Sequence, residues 1–143
     1  MSFFDAMEVG LEDAQEPTCV EAGEYEIELT GWKRTEDGEI FRTDTNGLKF
    51  IMPVFEVRNC EAEEYAKPFT HFLRIPDANS LGVKELNKAK WNMKCFFDAF
   101  GIDYSQRIDF EELVGASAEA ILGVQPDQGY GEQNYVKKWM KQR

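Results

Sequence analysis

The hydrophobic period of this chain changes twice. In "EYEIELTGW" (24–32) it is two, with Tyr25, Ile27 and Leu29 on one side and glutamates on the other, as in a strand with one face on a core. From Leu81 to Phe100 it lengthens. Val83, Leu86, Ala89, Met93, Phe96, Phe97 and Phe100 recur at three- and four-residue intervals, the spacing of an amphipathic helix. Strand-like segments return in "SAEAILGVQPD" (117–127) and "GEQNYVKKWM" (131–140), around a Gly-rich turn. Two further strands precede the helix. "LKFIMPVFEVRN" (48–59) is apolar on both faces, and "KPFTHFLRIPD" (67–77) alternates Phe69, His71, Leu73 and Ile75 against Thr70, Phe72 and Arg74. The chain is therefore mainly β, with five strands and an α-helix between strands 3 and 4. That order fits an OB-fold, a small partly open barrel. An SH3-like barrel does not ordinarily hold a long helix at that point, and a ferredoxin-like fold needs one between its first two strands.

Local punctuation agrees. Gly31 predicts a bulge or bend, and Pro53, which lacks a ladder donor, predicts a bent, bulged or edge position. Asp37-Gly38 and Asn46-Gly47 are turn signals around Ile40-Phe41-Arg42, in a long hairpin connection. Asn79 or Ser80 is expected to cap the helix and Gly101 to end it. "DFEELVG" (109–115) reads as a further helical turn.

At 143 residues and 43% hydrophobic, the chain has apolar material for one core. No apolar run has the length of a membrane span, and the first base is Lys33, so no signal peptide is read. A cytoplasmic protein is the expectation. Cys19, Cys60 and Cys95, with the single His71, give neither a disulfide framework nor a zinc-ligand spacing. Net charge is -11, but unevenly spread. Residues 1–32 hold nine of the 27 acids and none of the 16 bases, so the rest of the chain has 18 acids against 16 bases. Residues 1–22 are read as an acidic arm outside the barrel, either a flexible solvated tail or a docking segment, and 23–143 as the OB-fold domain.

Catalytic signals are poor. There is no phosphate-binding loop, nucleophile elbow or metal-binding helix motif, so neither enzyme activity nor a cofactor is expected. What recurs is aromatic residues beside bases: Trp32-Lys33-Arg34, Phe41-Arg42, Phe72 with Arg74, and Tyr135-Lys137-Trp139. Single-stranded nucleic acid asks for this pairing, because a ring stacks on an exposed base while a nearby cation meets the phosphates. Lys49 and Tyr130 complete the candidate surface. On a regular strand Tyr135, Lys137 and Trp139 share one face. The competing arrangement packs those rings under the helix, with Lys137 at the rim and Val136 and Met140 on the other face.

"GEYEIEL" after an acidic arm, "FEVRN", "FFDAFGIDYS", "FEELVGASAEAILGVQ" and "YGEQNYVKKW" are similar in order and spacing to small phage proteins of the OB-fold single-stranded-DNA-binding type. The resemblance spans about residues 23–140. It implies that Tyr135, Lys137 and Lys138 lie on the fifth strand beside the binding cleft, and Trp32, Lys33 and Arg34 at the end of the first. It also implies a partner in single-stranded DNA, and a role in bacteriophage replication or recombination. Such proteins commonly carry an acidic C-terminal tail that recruits replication proteins, whereas this chain closes on "KKWMKQR". That function has either moved to the acidic N-terminal arm or is absent. The rival expectations are an acidic protein-interaction module that mimics DNA and a virion structural component.

Overall fold

The computed structural model describes residues 11, 12, 14, 16–127 and 131–141. The strands are β1 (Gly23–Trp32), β2 (Arg42–Thr43), β3 (Lys49–Ile51), β4 (Pro53–Arg58), β5 (Phe69–Thr70), β6 (Leu73–Arg74), β7 (Ser117–Asp127) and β8 (Gly131–Trp139). One helix, α1 (Val83–Phe100), lies between β6 and β7, with short 3-10 turns at Glu61–Glu64 and Phe110–Leu113. An antiparallel sheet in the order β5-β4-β1-β7-β8 curls until its two edges meet, and a second ladder pairs β2-β3-β6. This is a nearly closed, OB-fold-like barrel, as the order of periods predicts.

The run 48–59 serves both ladders. It breaks at Met52, so that β3 leaves the main sheet and β4 stays in it. Pro53 stands at that break, where it has no N–H to offer and its carbonyl accepts from the His71 N–H at 3.1 Å. The third predicted strand is likewise two short pieces, β5 and β6, shared between the two ladders.

Inward side chains of the barrel, among them Ile27, Leu29, Phe55 and Leu122, are fully buried. The apolar stripe of α1 closes on them with Phe96, Phe97 and Phe100. Gly101 ends the helix in the left-handed region (φ 68°), and the N–H groups of Gly101 and Ile102 satisfy the Asp98 and Phe97 carbonyls. The start differs from expectation. Gly82 takes the cap position and no side chain caps it, because Asp77 has already engaged the Asn79 N–H and the Ser80 hydroxyl in the preceding turn.

Two bulges reset the alternation. The register of β1 on β4 slips between Leu29 and Gly31, making Thr30 the extra residue, so Trp32 points inward beside Leu29 and is buried. The register of β7 on β8 slips between Ile121 and Leu122, making Lys137 the extra residue. Trp139 then sits opposite Ala120 on the inner side, together with Val136 opposite Leu122.

The barrel also holds part of the segment read as an arm. Thr18 bridges Ala66, and Val20 is buried, its N–H and carbonyl both bonded to the Asn134 amide at 2.9 Å. Asn134, itself buried on β8, also reaches the Gly123 carbonyl. Both polar atoms of the Asn134 amide and both backbone polar atoms of Val20 are satisfied, which is what a buried amide requires.

Candidate nucleic-acid interface

The β2–β3–β6 ladder brings distant residues to one outward face. Phe50 lies directly between Arg42 on β2 and Arg74 on β6. Its ring stacks on Phe72, with centroids 4.9 Å apart and planes at 28°. The Arg74 guanidinium lies 4.9 Å from the Phe72 centroid and that of Arg42 lies 5.8 Å from Phe50. Phe72 stays 47% exposed. Lys49 is exposed next to Phe50. Of the sequence candidates, Arg42, Phe72 and Arg74 thus meet on one face, while Lys49, paired with Thr43, has the opposite parity on β3.

Both arginines are anchored. Arg42 donates to the Lys33 and Arg34 carbonyls at 3.3 and 2.6 Å. Arg74 pairs with Asp44 at 3.0 Å. The Asp44 carboxyl is held below its ordinary range, first by the Leu48 N–H that it accepts, and further by the Asn46 N–H and Arg74. Asp44 therefore remains ionised and fixes the guanidinium over Phe72, at the cost of part of its charge.

The other candidates are placed differently. Trp32 donates its indole N–H to the Phe110 carbonyl at 3.0 Å and meets that ring edge-on, so it is core rather than a stacking surface. Phe41, 43% exposed, also sits edge-on to Phe110. Lys33 is exposed. Arg34 donates from Nη2 to both Glu111 carboxylate oxygens at 2.7 Å and from Nη1 to the Gly38 carbonyl at 2.9 Å, which engages both ends of its guanidinium. Tyr135 and Trp139 do not share a face. The Lys137 bulge leaves Tyr135 outward, its ring over Gly123, where an added Cβ would meet it at 2.5 Å. Trp139 packs against Phe55, Phe96 and Phe100 at 5.5–5.7 Å. Lys137 itself is exposed on the bulge. Tyr130 lies outside the described residues.

His71, between β5 and β6, meets the Trp139 ring edge-on at 5.4 Å. Burial lowers its pKa to about 4, so it is neutral at pH 7 and adds no charge to the face above it. Among the described residues no group of three His, Cys, Asp or Glu side chains is placed to hold a metal, and no helix is long and apolar enough to cross a membrane.

A second outward face has the opposite chemistry. Glu24, Glu26 and Glu28 alternate along β1, with Glu56 and Glu119 facing them on β4 and β7. Arg58 sits among these carboxylates, 3.6 Å from Glu28, 3.7 Å from Glu56 and 3.8 Å from Glu63.

Sequence reasoning overlooked Phe50, although its run is apolar on both faces, which is the sign of a strand with something on its outer side. It also overlooked Trp91, which interrupts the lysine side of α1 and is 60% exposed. Compared with known proteins, the sequence matches no protein-family model and no curated protein, and the likeness to phage proteins rests on the quoted motifs alone.

Proposed function

We propose that this chain is a sequence-independent single-stranded-DNA-binding protein without catalytic activity. The observation that carries this reading is the outward Phe50–Phe72 stack, half-buried at Phe50 and exposed at Phe72, flanked by Arg42 and Arg74. It lies on the second and third strands of an OB-like barrel, the region where such barrels bind oligonucleotides. A base laid on Phe72 extends the stack by one ring, and the arginines meet the phosphates on either side. Duplex DNA offers no free base faces and gains nothing from the ring. From the motif resemblance we extend the proposal to a bacteriophage protein of DNA replication or recombination.

The glutamates around Arg58 favour a second reading, an acidic surface that docks on a protein which otherwise binds nucleic acid. Titration of a labelled oligothymidylate at low salt separates the two. With about four to six phosphates neutralised, log affinity is expected to fall with log salt at a slope of roughly −3 to −4, and a duplex of equal length to bind markedly worse. Equal affinity for duplex and single strand would rule out stacking as the basis of binding.

A further inference from the structure

Away from the Phe50–Phe72 pair, a second surface joins an exposed ring to cations. A groove of about 430 Å³ runs between α1 and the end of β8, lined by Trp91, Lys94, Lys137, Lys138 and Lys141, with Asp98 as the acid among them. Trp91 points away from the core and is 60% exposed, the largest apolar ring so presented among the described residues. Lys94 follows it by one helical turn, and its ammonium lies 5.7 Å from the ring centroid. A smaller cleft of about 170 Å³ shares Lys137, Lys138 and Trp139 with this groove and is bounded on its other side by His71 and Phe72. The two hollows therefore form one track, from Phe72 across the seam between β5 and β8 to Trp91.

We propose that a single strand held on Phe50 and Phe72 continues along this track, with Lys137 and Lys138 on its phosphates and a later base on Trp91. The inference rests on the single-strand reading above and adds a second subsite to it. Two features select the occupant. Four lysines against Asp98 reverse the sign of the protein's net charge at this place, which favours a polyanion. The exposed indole beside Lys94 favours a polyanion with flat rings, because an acidic peptide would engage the lysines and leave Trp91 in water. The bulge that turns Trp139 inward also lifts Lys137 to the seam, so the connecting cations are built into the strand register.

The test is binding of the full chain to oligothymidylates of about six and about twenty nucleotides, the first short enough for one platform and the second long enough for both. Combining Trp91→Ala with Lys138→Ala is expected to weaken the long strand by about ten-fold or more and to leave the short one unchanged. Phe72→Ala should weaken both. The long strand should quench tryptophan fluorescence, and Trp91→Phe should reduce that quenching, the remainder coming from Trp139, which lines both hollows, while Trp32 is buried. Wild-type affinity for the long strand in the double variant, with Phe72→Ala still impaired, would overturn the second subsite and leave the proposed function standing. Failure of the wild-type chain to bind either length would overturn both. If the double variant lost a polyglutamate peptide while keeping its DNA affinity, the groove would belong to an acidic protein partner instead.

Discussion

Two outward faces of this barrel are built on the same alternation and end in opposite chemistry. On β1 every second residue from Glu24 to Glu28 is a glutamate, and its neighbours β4 and β7 add more. On the β2–β3–β6 ladder the equivalent positions are Arg42, Phe50 and Arg74. The glutamate face is complete in water, because carboxylates are well hydrated and Arg58 offsets the closest of them. The Phe50–Phe72 face is not complete in the same sense. Its exposed ring area is favoured by cover from a flat apolar partner, and its guanidiniums are already fixed around the place where that partner would lie. A net charge of -11 therefore describes the sum of the faces and neither one of them.

The comparison can be tested by substitutions that act on the fold, on the seam beneath the aromatic face, on that face alone, and on the acidic face. The largest expected effect is on stability. Trp139→Ala removes a ring packed on Phe55, Phe96 and Phe100, and should cost about 3 kcal/mol in chemical denaturation while the folded fraction still binds DNA. A binding loss without a stability loss would put Trp139 back on the outer face.

Next in size is an acid effect from His71. Burial lowers its folded pKa from 6.5 to about 4, so between those values the unfolded chain holds a proton that the folded chain lacks. Stability is then full above the ordinary histidine value and declines as pH falls through that window, by on the order of 2–3 kcal/mol. His71→Asn should flatten the decline in denaturation curves taken at successive pH values. A slope that survives the substitution would assign it to carboxylates.

Phe72→Ala should reverse the pattern of Trp139→Ala, losing about 1–3 kcal/mol of single-strand affinity with little change in melting. The smallest effect belongs to the acidic face. Removing Arg58 leaves Glu28 directly opposite Glu56, and Arg58→Ala should destabilise by about 1 kcal/mol, less in high salt, without weakening DNA binding. A large loss of DNA affinity in that variant would mean that the two faces are not independent.

The fold was largely legible in the sequence because periodicity is a local signal. The alternation of 24–32, the helical spacing of 81–100 and the break at Pro53 each report their own segment. The site was legible only in part. Phe41-Arg42 and Phe72 with Arg74 were visible as pairs, but the residue that joins Arg42 to Arg74 is Phe50, and that junction is a cross-strand register that no local pattern carries. Arg34 and Trp32 were misleading for the same reason. Their partners, Glu111 and the Phe110 carbonyl, lie far along the chain in the 3-10 turn before β7. Gly31 announced the first bulge, since a residue without Cβ marks such places. Nothing in "NYVKKW" announced the second.

A β-strand has a reading frame of two, and a single inserted residue shifts everything downstream to the other side. Thr30 and Lys137 are two such insertions, and behind each the residue that changes sides is a tryptophan. Trp91, on a helix, has no frame to shift and keeps its indole toward solvent. Loss of the Lys137 codon would remove the bulge and not the packing: after Val136, Lys138 would take the outer side and Trp139 would stay inward against Phe55. Drawing the same residues into an unbroken alternation would instead swing Trp139 out beside Tyr135.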